Sequence, residues 1–222
     1  MNKAIQCYIC EFVGTFALCF VGIAAIKHLG NVPGGLVGIA LAHGLTIAVM
    51  VSATGAISGG HLNPAVTIGL LLARKIDVGN AVGYLISQCL AGVAAAALLI
   101  PSLGREAIGG GTPVLAADVT IGSGILIEAV LTFFLVFVIY GSAVDKRGAT
   151  MGGLFIGLTV TLDILAGGPI TGAAMNPARH LGPALVSGDG ALIGQIWLYW
   201  VGPVIGGVIA ALLWCMVLEQ KN

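Results

Sequence analysis

Two short stretches, residues 58–67 (SGGHLNPAVT) and residues 171–179 (TGAAMNPAR), share the tripeptide Asn-Pro-Ala. Proline at the first helical position loses no hydrogen bond, because that backbone N–H has no partner within the helix. Asparagine before it is a good N-cap, since its side-chain oxygen accepts a backbone N–H of the first turn and its NH₂ stays available as a donor. Each tripeptide therefore predicts a helix start whose positive dipole end faces whatever lies in front.

The two tripeptides divide the chain into two similar units. Asn63 and Asn176 are 113 residues apart (176 − 63), which is about half of the 222-residue chain. Two further patterns repeat: Glu-x-x-x-Thr-Phe at residues 11–16 and 128–133, and Gly-Leu-Thr at residues 44–46 and 157–159. We therefore predict a single domain, residues 1–222, built from a first repeat over 1–105 and a second over 118–222.

The composition excludes a soluble globular domain. Hydrophobic residues make up 58% of the chain and charged residues 8%, whereas charged residues are about 25% of soluble domains. No Asp, Glu, Lys or Arg lies between Lys27 and Arg74, and this run is too long for one span of about 20 residues. Several membrane spans are therefore expected, and the net charge of zero gives no indication of a nucleic-acid partner.

Six apolar stretches are long enough to cross a bilayer. Four are predicted near residues 7–26, 33–56, 78–100 and 194–218, and the fourth and fifth in chain order contain Glu128 and Thr159. Residues 101–121 form a connection rich in glycine and proline between the halves. The helices that begin at the tripeptides end near residues 73 and 186, so they are too short to cross and are predicted to be re-entrant. The fold class is an all-α membrane protein with six transmembrane helices and two re-entrant half-helices.

Three spans in each half make the second repeat inverted relative to the first. An excess of Lys and Arg marks the cytoplasmic side. If the N-terminus is inside, six cations face the cytoplasm and three face outward: Lys3, Arg74, Lys75, Lys146, Arg147 and Lys221 against Lys27, Arg105 and Arg179. Both termini are therefore predicted to be cytoplasmic. Inverted repeats place a functional site where broken helices meet near the midplane.

The chain resembles the major intrinsic protein family, the aquaporins, over essentially its whole length. The motifs that carry the resemblance are EFVGTF at 11–16, HLNPAVT at 61–67, MNPAR at 175–179 and YWVGP at 199–203. The resemblance implies six tilted helices and two half-helices around a pore. It also implies a homotetramer in the lipid bilayer with one pore in each subunit.

The same resemblance implies which residues form the pore. The family's central motifs fall on Asn63, Pro64, Ala65, Asn176, Pro177 and Ala178. Counted from the two asparagines, the four positions of its outer selectivity filter fall on His43, Ile164, Ala173 and Arg179. Orthodox water channels resemble one another in having Phe, His, Cys and Arg there, and glycerol facilitators have Trp, Gly, Phe and Arg. The present set is more similar to some plant vacuolar-membrane and archaeal aquaporins.

Several polar residues in apolar surroundings need an interpretation. Glu11 and Glu128 are predicted to be structural acids that hold the loops before the half-helices. His61 is expected to tie backbone groups of its loop rather than contact solute. Asp163 lies about 100° around its helix from Ile164 and has no partner that the sequence identifies, and His180 fits neither branch of the family. The five cysteines are interpreted as packing residues.

The predicted function is passive conduction of water, with ammonia or, slowly, glycerol as further solutes. In the filter, His43 and Arg179 are expected to act as donors on opposite sides. A glycerol or small-solute facilitator is the alternative, and a membrane junction protein is a further one. No catalytic group, metal site, cofactor or nucleic-acid partner is expected, so the protein is predicted not to be an enzyme. The short tails favour a prokaryotic plasma membrane.

Overall fold

The structure is a computed structural model that describes residues 2–148 and 150–219. Within these ranges the regular structure is helical and contains no strand, which confirms the all-α prediction. The ten α-helices are α1 (Lys3–Leu29), α2 (Gly35–Ser58), α3 (Pro64–Leu72), α4 (Val78–Leu103), α5 (Arg105–Gly110), α6 (Ile121–Ile139), α7 (Gly152–Thr171), α8 (Pro177–Ser187), α9 (Gly190–Gly194) and α10 (Leu198–Leu213). Single π-helical turns extend α6 over Tyr140–Val144 and α10 over Trp214–Leu218.

Six helical segments among the described residues are long and apolar enough to cross a membrane. They are α1, α2, α4, α6 with its π-helical turn, α7, and the segment from α9 to the end of the second π-helical turn. Large apolar side chains on their outer faces are exposed, for example Val49, Leu126 and Leu162. An apolar exterior of this extent is typical of a surface that contacts lipid. The predicted six spans are confirmed.

The two half-helices, α3 and α8, contain 9 and 11 residues. At 1.5 Å per residue they are about 14 and 17 Å long, roughly half of a 30 Å hydrocarbon core. Each begins as the tripeptide predicts. The side-chain oxygen of Asn63 accepts from the backbone N–H of Ala65 at 2.9 Å, and that of Asn176 accepts from Ala178 at 3.0 Å.

Glycine brings the long helices into close contact at two crossings. A Cβ on Gly157 of α7 would overlap the backbone oxygen of Gly44 in α2, and a Cβ on Gly206 of α10 would overlap that of Ala129 in α6. Small residues at such positions let membrane helices approach at backbone distance. The core therefore contains two tightly crossed helix pairs. Half-helix α3 packs against α10 and α4, and half-helix α8 packs mainly against α4.

The predicted connection between the halves, residues 101–121, is partly helical. Helix α4 continues through Pro101 and ends at Leu103, and Gly104 with a φ of 79° separates it from α5. Six residues with two glycines at their end carry too little apolar periodicity to predict a helix such as α5. The side chain of Arg105 donates to the backbone oxygen of Val186, which links this connection to the end of α8.

Candidate pore and selectivity filter

The N-termini of the two half-helices are joined to each other by their capping residues. The Nδ2 of Asn63 donates to the backbone oxygen of Met175 at 2.7 Å, and the Nδ2 of Asn176 donates to that of Leu62 at 2.9 Å. A primary amide has two N–H groups, so each asparagine keeps one further donor. The caps were predictable from the tripeptides, but the exchange of hydrogen bonds between the repeats was not.

The acceptors in this exchange lie in a strained backbone conformation. Leu62 and Met175 directly precede the asparagines, and both have a φ of 50°. A left-handed conformation costs a residue other than glycine about 1–3 kcal/mol. Hydrogen bonds on the other side of each residue help to stabilise it, because the N–H of Leu62 donates to Glu11 at 2.6 Å and that of Met175 to Glu128 at 2.7 Å.

Glu11 and Glu128 each accept several hydrogen bonds and are fully buried. The further donors to Glu11 are Ser58 Oγ at 2.7 Å, the backbone N–H of His61 at 3.0 Å and Gln88 Nε2 at 2.8 Å. Those to Glu128 are Thr171 Oγ1 at 2.6 Å and the backbone N–H of Ala174 at 2.9 Å. A buried carboxylate needs such donors to offset the loss of water. The segments that lead into the half-helices supply them, together with Gln88 of α4 for Glu11.

A narrow cavity of about 40 Å³ runs past the asparagines to the loop before α8, residues 172–175. It has room for about three water molecules. Its lining includes both asparagines and the four predicted filter positions, namely Asn63, Asn176, His43, Ile164, Ala173 and Arg179. The rest of its wall is mainly aliphatic, including Leu18, Ile47, Val51, Val66, Leu135, Ile139, Ile156 and Val160. Pro64, Ala65, Pro177 and Ala178 are buried in the half-helices and do not belong to the lining.

His43 and Arg179 contact each other, so the predicted arrangement with the two as donors on opposite sides is wrong. The Nδ1 of His43 is 2.8 Å from the backbone oxygen of Ile39, and because a carbonyl only accepts, this nitrogen donates. The Nε2 lies 3.4 Å from Nε and 3.3 Å from Nη2 of Arg179. In the neutral imidazole the second nitrogen is an acceptor, so Arg179 donates to His43.

This pairing leaves one nitrogen of the guanidinium, Nη1, outside the contact with His43. Arg179 is 3% exposed, and its Nη1 has no hydrogen-bond partner among residues 2–148 and 150–219. Ile164 and Ala173, both 4% exposed, supply apolar wall beside it. The Nη1 of Arg179 and the remaining N–H of each capping asparagine are therefore donors of lining residues for which no described residue supplies an acceptor.

His61 differs from its predicted role. Its Nδ1 lies 3.1 Å from Thr67 Oγ1 and its ring packs edge-on against Tyr84, with centroids 5.0 Å apart. His61 is among the residues that line the cavity, and among the described residues its ring bonds to the Thr67 hydroxyl rather than to the backbone of its loop. Thr67, six residues later in α3, could have indicated this, because a histidine just before a half-helix can reach its first turns.

Asp163 and His180 are buried and do not line the cavity. One carboxylate oxygen of Asp163 has no hydrogen-bond partner among the described residues. The ring of His180 stacks on that of Tyr199 at 4.1 Å, and Tyr199 donates to the backbone oxygen of Thr171 at 2.6 Å. His180 therefore belongs to the packing that holds the loop before α8.

This pore geometry is accompanied by similarity along the whole chain. The family model described as "Major intrinsic protein" matches residues 1–214. The chain belongs to the major intrinsic protein family. Its relatives within the family include Aquaporin TIP4-1 of Arabidopsis thaliana, 47% identical over 226 residues, which cover 98% of this chain and 88% of the relative. Aquaporin TIP4-4 of Zea mays is 43% identical over 221 residues, which cover 95% of this chain and 85% of the relative.

A solved structure has the same fold. The X-ray structure of the aquaglyceroporin from Plasmodium falciparum superimposes with a TM-score of 0.85 and covers 97% of each chain. Its sequence is 24% identical, so this likeness supports the fold alone and carries no information on the solute. The sequence-based assignment to the family is confirmed by the match to the family model and by the relatives.

Proposed function

We infer that the protein is a passive transmembrane channel for water. The observation that carries this inference is the narrow cavity that joins two inward-facing helix N-termini to a guanidinium donor. Most of its wall is aliphatic and offers water no partner. The few donors along it lie where a permeating molecule needs to replace hydrogen bonds lost with bulk water.

The paired half-helices provide a mechanism for excluding protons and cations. Their positive dipole ends and the free N–H groups of Asn63 and Asn176 make a positive centre in the cavity. A water molecule there turns its oxygen toward the asparagines, which interrupts a continuous chain of hydrogen bonds. The same field repels cations.

The filter favours water over larger solutes. Ile164 and Ala173 present little apolar surface, whereas glycerol needs an extended apolar wall for its three carbons. Ammonia is close to water in size and hydrogen bonding, so the filter discriminates less against it. We expect water to be fastest, ammonia to be measurable and glycerol to be slow, and the glycerol-facilitator alternative is not favoured.

We also propose a homotetramer with one pore per subunit and cytoplasmic termini. The orientation is supported by Lys75, which is 2.6 Å from Glu219, and by Arg147, which donates to the backbone oxygen of Leu218 at 3.0 Å. These contacts bring three predicted cytoplasmic segments to the same end of the molecule. Lys221 lies outside the described residues. The protein is an integral membrane protein. Its relatives include proteins of plants and mouse, and they do not support the expected prokaryotic plasma membrane.

Stopped-flow light scattering on proteoliposomes tests the proposal. Water, ammonium and glycerol gradients are applied to one preparation, with protein-free liposomes as the control. Water permeability well above the control, a smaller ammonia signal and slow glycerol flux are expected. Glycerol flux similar to that of a glycerol facilitator would establish the alternative. Water flux equal to that of the protein-free liposomes would favour a junction protein. We propose no catalytic activity for the protein, whether it is a channel or a junction protein.

A further inference from the structure

We propose that Gly22 of α1 is a positioning residue that sets the width of the filter through His43 and Arg179. This inference rests on the proposed function. A Cβ on Gly22 would overlap Nε2 of His43, and it would lie 3.0 Å from Cδ2 of His43 and 3.1 Å from Nε of Arg179. The side chains of His43 and Arg179 therefore occupy the space that a side chain at position 22 would need.

Gly22 differs from the glycines at the helix crossings in what it faces. At Gly157 and Gly206 the nearest atom to an added Cβ is a backbone oxygen of the neighbouring helix, as expected where small residues bring two helices together. At Gly22 the three nearest atoms all belong to the side chains of His43 and Arg179. Gly22 thus leaves room for two side chains, whereas Gly157 and Gly206 let two helix backbones approach each other.

The imidazole cannot retreat easily from an added methyl group. Its Nδ1 is held at 2.8 Å by the carbonyl of Ile39 in the same helix, so rotation of the ring would break this bond. Helix α2 cannot move back as a whole either, because Gly44 packs directly against Gly157 and Thr161 of α7. A close-packed interior transmits such strain to the atoms that are least constrained. Here the free space is the cavity, so the two side chains move toward it.

The direction of the displacement follows from the lining of the cavity. His43 and Arg179 both line it, whereas Gly22 does not. A methyl group on Gly22 therefore approaches the pair from behind and moves it toward the permeant, or separates the guanidinium from the imidazole. In a cavity of about 40 Å³, either change lowers water permeability, and solutes larger than water are affected more strongly.

The test is a pair of substitutions, Gly22→Ala and His43→Ala, made singly and together. We expect Gly22→Ala to lower the water permeability of proteoliposomes several-fold and the ammonia-to-water ratio as well. In the His43→Ala background the ring that the methyl group would strike is absent. Adding Gly22→Ala there should leave water permeability at the level of His43→Ala. Gly55→Ala is the matched control, because a Cβ at Gly55 would have no atom of the described residues within 4 Å.

The outcomes separate this inference from the proposed function. Wild-type water permeability equal to that of empty liposomes defeats the proposed function. The inference on Gly22 fails if Gly22→Ala matches wild type, or if it lowers permeability by the same factor with and without His43. If Gly22→Ala does not fold, recovery of folded protein in Gly22→Ala/His43→Ala supports the contact with His43, and failure of both variants contradicts it.

Discussion

The guanidinium of Arg179 is paired with His43 along one edge, and its remaining nitrogen is unpaired among the described residues. Nε and Nη2 donate toward His43, and Nη1 has no partner among the described residues. A guanidinium holds its five N–H groups in one rigid plane, so fixing one edge determines where the other points. The acceptor nitrogen of His43 therefore fixes the direction of Nη1.

Ala173 is the position at which a cysteine should confer sensitivity to mercurials. It lines the cavity, and no cysteine of the described residues does so. We expect wild type to be weakly sensitive and Ala173→Cys to be blocked by mercuric chloride in stopped-flow assays. The new sulfur adds little strain, since alanine already places a Cβ on this backbone with its φ of 44°.

The control for this prediction is Ala53→Cys, because Ala53 is exposed on α2 and lies outside the cavity lining. It should leave the channel as insensitive as wild type. Strong block of wild type that disappears on replacing one of its own cysteines would contradict the prediction, and Cys19, fully buried in α1, is the first to replace.

Asn176→Asp should make the channel leak protons or cations. The carboxylate places negative charge at the positive centre and also loses the donor to Leu62. We expect higher proton flux in liposomes with an entrapped pH-sensitive dye, and a lower melting temperature from the lost hydrogen bond of about 1 kcal/mol. The surface variant Asn31→Asp adds the same charge at an exposed site and should do neither. Unchanged ion exclusion with full water permeability would refute the positive-centre mechanism.

At this scale the sequence predicts residue types better than it predicts pairs. The capping role of Asn63 and Asn176 follows from a local pattern, because the cap and its partner are two residues apart. The contact between His43 and Arg179 joins positions 136 residues apart, and no local pattern indicates it. Leu62 and Met175 were also missed as left-handed residues, since neither side chain favours that conformation.

At the scale of elements, each half-helix depends on the acid that holds the loop before it. Glu128→Gln keeps one acceptor oxygen but places an NH₂ against donors such as the N–H of Met175. Loss of hydrogen bonds to a buried carboxylate costs about 1.5–3 kcal/mol each. We expect a clearly lower melting temperature in detergent and reduced water permeability.

Glu106→Gln is the control for this variant, because Glu106 is exposed in α5 and should tolerate the change. Glu11→Gln should behave like Glu128→Gln, since Glu11 holds the loop before α3 in the same way. A melting temperature of Glu128→Gln equal to that of wild type would show that the loop does not depend on the carboxylate.

The elements themselves were largely predictable. Runs of apolar residues define the six spans, and Asn-Pro marks the start of each half-helix to the residue. The exceptions are short or depend on tertiary contacts. Helix α5 is six residues long, and the π-helical turns after α6 and α10 lie where Tyr140 and Trp214 stack at 6.0 Å, a contact between separate helices.

At the scale of the whole molecule, an ion pair and a hydrogen bond to the backbone join the ends of several segments on the predicted cytoplasmic face. Asp145 pairs with Arg147, Arg147 also donates to the backbone oxygen of Leu218, and Lys75 pairs with Glu219. Hydrogen bonds from Arg147 hold the pKa of Asp145 below its usual range, and the one from Lys75 does the same to the pKa of Glu219.

These contacts predict how the C-terminal end of α10 responds to acid. A carboxyl group whose pKa is lowered in the folded protein stabilises the folded state at pH values above its pKa in the unfolded chain, which is about 4. This stability is lost as pH falls through the lowered pKa, so nothing should change between pH 7 and pH 5. Hydrogen exchange near residues 214–219, corrected for the intrinsic rate, should rise only below about pH 4. Glu219→Gln should raise it at neutral pH, and a rise for wild type between pH 7 and pH 5 would contradict the assignment.

The crossed bonds of the two asparagines have a consequence for how the protein is made. The acceptor for Asn63 is Met175, which is 112 residues further along the chain. At a synthesis rate of about 5–20 residues per second, roughly 6–22 s separate the two on the ribosome. During that interval the first re-entrant loop sits in the membrane with an incomplete set of partners. The first half therefore cannot complete its hydrogen bonds until the second half is made. Truncated chains that end before α8 should be substrates for membrane quality control.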